Sequence, residues 1–301
     1  MNTGAAQRYL PAGWRRKEWY AGATFLIPTV LFLGFTSLYP LIYALILSFH
    51  RLDLKFGTEA RFIGLGNYLR ALTDPFFGKS VITTVLFVII TVAGETVLGM
   101  VIALLVSQQR GYYRLARSLL LIPLVMTPVV IGILWRMLFN PDFGLINYIV
   151  TLLGGHKLSW LGTPSLALVG VMLVDIWEWT PFVALCFVSG ITALPYNTVE
   201  AALVDGASSW QLFWRVTLPL LRPVILVTVL LRLLDAFKVV DTIYVMTAGG
   251  PGNTTKLLSL FIYEMGLKYF NIGYASALSW IFIVLMLVLT FYFLKERGSA
   301  L

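Results

Sequence analysis

Cysteine, histidine and charge are all scarce in this 301-residue chain, and each shortage excludes a class of protein. Its one cysteine, Cys186, lies inside an apolar block, so neither a disulfide framework nor a cysteine metal site is available. The two histidines, His50 and His156, have no companion ligands at metal spacing. No G-x-x-x-x-G-K-[ST] phosphate loop occurs, so the chain cannot be its own ATPase, and no serine sits in a G-x-S-x-G setting. There is no internal repeat of roughly 20–50 residues and no low-complexity tract. Charged residues make up only 12% of the chain, about half the usual share for a soluble domain. A soluble fold of this length needs more polar surface.

Apolar residues, in contrast, fill 59% of the positions and fall into blocks. Crossing a hydrocarbon core by helix takes about 20 residues. Six blocks meet that length, about 21–49, 80–106, 116–139, 164–191, 220–247 and 274–294. Lipid offers backbone groups no outside partners, so the spans must be helices and the fold class is an all-α, polytopic membrane protein with six transmembrane helices. Residues 1–20 form a polar, basic segment without a clear cleavage site, so the first apolar run is expected to be retained. Pro28, Pro40, Pro123, Pro128, Pro181 and Pro223 lie in or beside the spans and predict kinks or short unwound turns.

The net charge of +8 comes from scattered basic residues that flank apolar blocks, which suits anionic lipid headgroups rather than nucleic acid. With the N-terminus cytoplasmic, Arg8, Arg15, Arg16, Lys17, Arg110, Arg114, Arg117, Arg215, Arg222, Lys295 and Arg297 fall inside. Arg51, Lys55, Arg61, Arg70, Lys79, Arg136, Lys157, Lys256 and Lys268 fall outside. The inside segments are shorter, and the cluster before the first span decides the orientation as N-in, C-in.

One polar stretch stands out, residues 195–219, between the fourth and fifth blocks. Asn197 followed by Glu200 reads as a capping box that opens a short helix. Asp205-Gly206 stops it, because glycine accepts the left-handed conformation of a helix end. Ser208 followed by Gln211 repeats the capping signature and opens a second helix carrying Leu212, Phe213 and Val216, expected to end by Pro219. Small residues, Ala201, Ala202, Gly206 and Ala207, permit close approach by a partner. Local physics leaves two readings open, a docking knob and a plain surface hairpin.

Glu200-Ala201-Ala202, Asp205-Gly206-Ala207, Phe213 and Leu218-Pro219 resemble the EAA motif of ATP-binding-cassette (ABC) importer permeases. In that family the loop forms coupling helices that dock into a cleft on the ATPase subunits. The resemblance implies a docking role for Glu200, Ala201, Ala202, Asp205, Gly206 and Ala207. Phe62-Ile63-Gly64-Leu65-Gly66-Asn67-Tyr68 is similar to the F-x-G-L-x-N-Y element of carbohydrate permeases. Gly249-Gly250-Pro251-Gly252-Asn253-Thr254-Thr255 resembles their G-G-P-x-x-x-T element. Together with Asn140-Pro141-Asp142-Phe143-Gly144, these resemble maltose-, glycerol-phosphate- and trehalose-type permeases, from about residue 20 to the C-terminus. The chain departs from some maltose permeases in showing no extra N-terminal spans and no large outer-loop domain. The implied partners are a second homologous permease, two ATP-binding-cassette ATPases and an extracytoplasmic sugar-binding protein, in the inner membrane of a prokaryote. ATP and Mg would be used by the ATPases, with no cofactor on this chain.

Ionisable groups at bilayer depth are expensive, so each is a candidate for function. The fifth block carries Arg232, Asp235, Lys238 and Asp241 at three-residue spacing, which suits ion pairs along a helix or the lining of a polar cavity. The fourth carries Asp175, Trp177, Glu178 and Trp179, and the second carries Glu95. Sugars are held by carboxylates at their hydroxyls and by aromatic rings at their C–H faces. Trp177, Glu178, Asp235 and Lys238 are therefore the candidates for a translocation pathway, with aromatic packing as the alternative for the tryptophans. An ion-gradient-driven secondary transporter is the main rival, although such folds show repeated halves that are lacking here. A membrane-embedded enzyme would need a catalytic cluster, and none is visible.

Overall fold

The computed structural model describes Thr24 and residues 26–107 and 118–298. The basic segment 1–20, the arginines Arg110, Arg114 and Arg117, and the starts of the first and third predicted spans lie outside the described residues.

Among the described residues, five helices are long and apolar enough to cross a bilayer. They are α1 (Leu26–Ser48), α3 (Pro75–Val106), α7 (Pro164–Thr192), α9 (Ser209–Ala236) and the first 21 residues of α12 (Ile272–Gly298). Short helices fill the connections: α2 (Gly66–Thr73), α4 (Leu121–Val125), α5 (Pro128–Leu138), α6 (Leu145–Leu152), α8 (Tyr196–Val204), α10 (Asp241–Thr247) and α11 (Leu258–Tyr263). One two-stranded antiparallel ribbon, β1 (His50–Arg51) with β2 (Arg61–Phe62), pairs His50 with Phe62.

Prolines start helices here more often than they break them. Pro75, Pro128 and Pro164 all occupy the first turn, where a missing N–H costs nothing. Asp74 caps α3 by accepting from the Phe76 amide at 2.9 Å. Pro181 and Pro223 sit inside α7 and α9, which continue through them.

Two predicted spans need correction. The block 116–139 is not one helix: α4 ends at Val125, Met126 and Thr127 are extended, and α5 starts at Pro128. Proline disfavours helical backbone at the residue before it, which is why the chain unwinds at Thr127. The block 220–247 is displaced and cut: its helix begins at Ser209, ends at Ala236, and resumes as α10 at Asp241. The three-residue ladder of charges therefore holds only from Arg232 to Asp235. Lys238 falls in the break and Asp241 opens the next helix.

Helices α3 and α7 make the most extensive contact in the bundle. Gly99 lets them meet, since a Cβ there would stand 2.7 Å from Val183 Cγ1. The largest apolar core joins Phe87 and Val92 of α3, Ile131 of α5, Val171 and Val174 of α7, and Ile243 and Met246 of α10.

The two loop motifs, residues 62–68 and 249–255, are built structures. Buried Asn67 donates from Nδ2 to the carbonyls of Ser48 (2.8 Å) and His50 (2.9 Å), tying off the end of α1. Tyr68 shares a 2.7 Å hydroxyl contact with Ser48. In the second motif, the Thr255 and Thr247 hydroxyls meet at 2.7 Å. Hydrogen bonds from Lys79 Nζ to the Gly252 carbonyl and from the Leu54 amide to the Phe270 carbonyl draw these loops to one end of the bundle.

Candidate functional site

Two features converge on α9. At one end is the polar stretch 195–219, and at the other a buried ionic cluster beside a cavity.

The polar stretch folds as two short helices around a tight turn. The Asn197–Glu200 capping box does not form: Pro195 takes the N-cap position and α8 begins at Tyr196, which puts Asn197 inside the helix. The second box forms as expected, with Gln211 N donating to Ser208 Oγ (3.3 Å) and Ser208 N donating to Gln211 Oε1 (2.9 Å). Gly206, at φ +81°, occupies the left-handed region that ends α8. Glu200, Ala201, Asp205 and Gly206 are exposed, whereas Ala202 and Ala207 are half-buried. The second helix does not end at Pro219. It passes through one wider turn, Phe213–Thr217, and runs on as α9, with Pro219 in an N-terminal turn of the straight part. Around this knob Leu203, Val204, Trp210 and Trp214 are exposed, Val204 by 82%, and the two indoles meet edge-on at 5.4 Å. Sequence reading missed this apolar rim, because exposure depends on which face of each helix is left uncovered.

The ionic cluster centres on Arg232, which is only 1% exposed. Its guanidinium forms a two-pronged pair with Glu95 of α3, Nε to Oε2 at 2.6 Å and Nη2 to Oε1 at 2.9 Å. It also donates to Asp175 of α7 at 3.3 Å and to Asp235 at 2.8 Å. The Trp179 ring covers its face at 4.4 Å. One side chain of α9 thereby fastens three helices together. The pairing of Glu95 with Arg232 spans 137 positions, and nothing in local spacing announces it.

Beside the cluster lies a cavity of about 150 Å³, lined by Asp175, Glu178, Trp179, Asp235, Lys238 and Asp241, with Pro128 and Thr242 at its wall. It sits where both helix interruptions meet, α4 to α5 on one side and α9 to α10 on the other. Thr242 Oγ1 donates to the Pro128 carbonyl across this junction at 3.4 Å. Irregular backbone at membrane depth is tolerated where it lines a cavity or is buried in protein. Of the residues singled out for a pathway, Glu178, Asp235 and Lys238 come together here. Trp177 does not line the cavity; its ring packs edge-on against Trp135 at 5.4 Å, and Trp179 takes the lining position. Among the described residues no group of three His, Cys, Asp or Glu side chains is arranged to hold a metal ion.

Membrane-crossing helices, a polar cavity at a helix break and a two-helix knob define the class of a multi-pass membrane permease. Residues 95–295 match the family described as the binding-protein-dependent transport system inner membrane component. The chain belongs to that family, whose members are ABC transporter permease subunits rather than enzymes. Membership also disfavours the ion-gradient reading.

Among its relatives, the trehalose/maltose transport system permease protein MalF of Thermococcus litoralis is 36% identical, over 93% of this chain and 94% of that protein. The trehalose transport system permease protein SugA of Mycobacterium tuberculosis is 34% identical, over 91% and 87%. The sulfoquinovosyl glycerol transport system permease protein SmoG of Agrobacterium fabrum is 33% identical, over 90% and 88%. The fold is shared with a bacterial alginate ABC transporter solved in complex with an alginate pentasaccharide-bound periplasmic protein. The TM-score is 0.80 at 20% identity, covering 92% of this chain and 93% of that one.

Proposed function

We propose that this chain is one permease subunit of an importer for a carbohydrate, working with a second homologous permease, two ATPases that consume ATP and Mg, and an extracytoplasmic sugar-binding protein. The names of the relatives, trehalose/maltose, trehalose and sulfoquinovosyl glycerol permeases, support the substrate class. In this reading both termini are cytoplasmic, residues 1–20 lie in the cytosol, and the knob formed by 195–219 projects there.

The observation that carries the mechanism is the continuity of α9, which starts in the knob at Ser209 and ends beside the cavity at Ala236. Glu200, Ala201, Ala202, Asp205, Gly206 and Ala207 form the ATPase-docking surface, with the exposed apolar rim around it. Closure of the ATPases shifts the knob, α9 carries the shift into the bundle, and the break at 237–240 absorbs it. The cavity lined by Glu178, Asp235 and Lys238 then exchanges access between the two sides. Coupling here means two distinct sites biasing one two-state bundle.

The test is Glu200→Lys in the complete complex reconstituted into liposomes. ATP hydrolysis should persist while uptake falls at least tenfold. Full uptake by this variant, or labelling of a cysteine at position 200 by an impermeant reagent from outside intact cells, overturns the docking role.

A further inference from the structure

Resting on the reading of the α9 cavity as part of the sugar pathway, we infer that this cavity accepts neutral or amino-bearing sugar units and rejects anionic ones. The side chains of the cavity and its cluster carry five carboxylates, Glu95, Asp175, Glu178, Asp235 and Asp241, against two cations, Arg232 and Lys238. Glu95, Asp175 and Asp235 take four of the five N–H donors of Arg232, and Trp179 covers its face, which leaves a single N–H for any anionic ligand. Lys238, in the break, stands three residues from both Asp235 and Asp241 in the sequence, and all three line the cavity. Glu178 supplies the strongest pointer to a ligand. It is 6% exposed, it lines the cavity, and it forms no ion pair among the described residues.

A largely buried carboxyl that meets no protein donor takes one from whatever fills the cavity, water or ligand. Sugar hydroxyls and ammonium groups donate; a sugar carboxylate or sulfonate only accepts. An added negative charge within about 5 Å of the ionised acids is repelled, most strongly by those shielded from water, which is enough to lower affinity more than tenfold. The Trp179 ring offers the apolar wall that a sugar's C–H face needs. The shared fold does not dictate the opposite preference. Relatives named for anionic sugars exist, the sulfoquinovosyl glycerol permease at 33% identity and the alginate importer at 19%, so the preference rests on these cavity residues and not on the fold or the family.

The experiment uses the purified permease–ATPase complex in detergent without any binding protein, so that the cavity alone selects. Glucose, maltose and trehalose are each compared with their C6-oxidised uronates and their 6-amino-6-deoxy derivatives, with binding read by saturation-transfer NMR and competition. The expected result is that uronates bind at least tenfold more weakly than the parent sugars, and that amino derivatives bind at least as well. In Glu178→Gln combined with Asp241→Asn, the ratio between neutral and uronate forms should shrink at least threefold. Size-exclusion profile and thermal midpoint check that this variant is folded, and Asp241→Asn alone, at an exposed position, serves if it is not. Uronates binding as tightly as their parents overturns the charge preference while leaving the cavity in the pathway. No saccharide of the panel binding, or binding that the double variant leaves unaltered for every ligand, overturns the pathway reading and the preference with it.

Discussion

Replacing Arg232 by methionine should be among the most damaging single changes in the protein. Methionine keeps most of the side-chain volume, so the loss is electrostatic. Two of the three carboxylates it leaves behind, Glu95 at 0% exposure and Asp175 at 4%, have no solvent to turn to. Breaking a buried pair by removing one partner costs about 3–5 kcal/mol. For a chain of this size each kcal/mol moves the thermal midpoint by about 2–4 °C, giving a fall of roughly 6–20 °C. Asp235→Asn removes the shortest of the pairs outside Glu95, yet the Asp235 side chain is 43% exposed and water replaces what is lost. Exposed pairs contribute at most about 1 kcal/mol, so its midpoint should move by no more than about 4 °C. Adding Glu95→Gln to Arg232→Met removes the more deeply buried of the two stranded carboxylates and should recover at least half of the loss. The assay is thermal unfolding of the detergent-solubilised complex at one fixed heating rate, because membrane proteins often unfold irreversibly. A midpoint for Arg232→Met within 2 °C of the parent, or equal losses for Arg232→Met and Asp235→Asn, refutes the reasoning.

Gly206→Pro should lower coupled uptake at least tenfold while membrane insertion stays intact, because proline cannot adopt the φ of +81° that turns the knob; fluorescence-detected gel filtration and an uptake assay read the two effects. Gly99→Leu should destabilise the bundle by at least about 1–3 kcal/mol, since its side chain would be driven into Val183 and the α7 backbone at Ala184; the thermal midpoint measures it. Glu264 predicts a pH dependence. Burial pushes its carboxyl up, but Lys256 at 2.7 Å and Lys268 at 2.9 Å outweigh burial and hold it below the usual carboxylate range. A depressed folded-state value means that its stabilisation is complete above the ordinary value of about 4 and is lost as pH falls through the folded one. Glu264→Gln should therefore lower the midpoint at pH 7 and flatten its decline below about pH 4; an unchanged acid limb removes the claim.

Much of the architecture could be read from the chain because lipid imposes a length and a composition on each crossing. Blocks 164–191 and 274–294 match α7 and α12 to within a few residues. Interruptions were less legible. Hydropathy is blind to two extended residues, so the block 116–139 reads as one span although Pro128 predicts the short unwound turn found at Met126 and Thr127, and Val239-Val240 carry no proline or glycine to mark the stop before α10. At the knob, the side-chain pattern Asn197-x-x-Glu200 suggested a cap that Pro195, two residues earlier, had already pre-empted. The Ser208–Gln211 cap and the Gly206 turn were legible because both act within four residues. The ionic cluster was legible only as a roster of acids and bases. Which acid meets which base depends on how α3, α7 and α9 pack, and the contact between Glu95 and Arg232 emerges only from that packing.

The absence of a stop at Pro219 has a consequence for amplitude. Twenty-eight residues in one continuous helix, its wider turn at Phe213–Thr217 included, span roughly 40 Å, well beyond the hydrocarbon thickness. If such a rod pivots where Arg232 anchors it, a tilt of about 10° sweeps the distant tip sideways by several ångströms while the anchored end barely moves. A broad displacement at the membrane surface is thus geared down to a fine adjustment beside the carboxylates. Inserting a flexible glycine pair midway along the rod would decouple the two scales of motion.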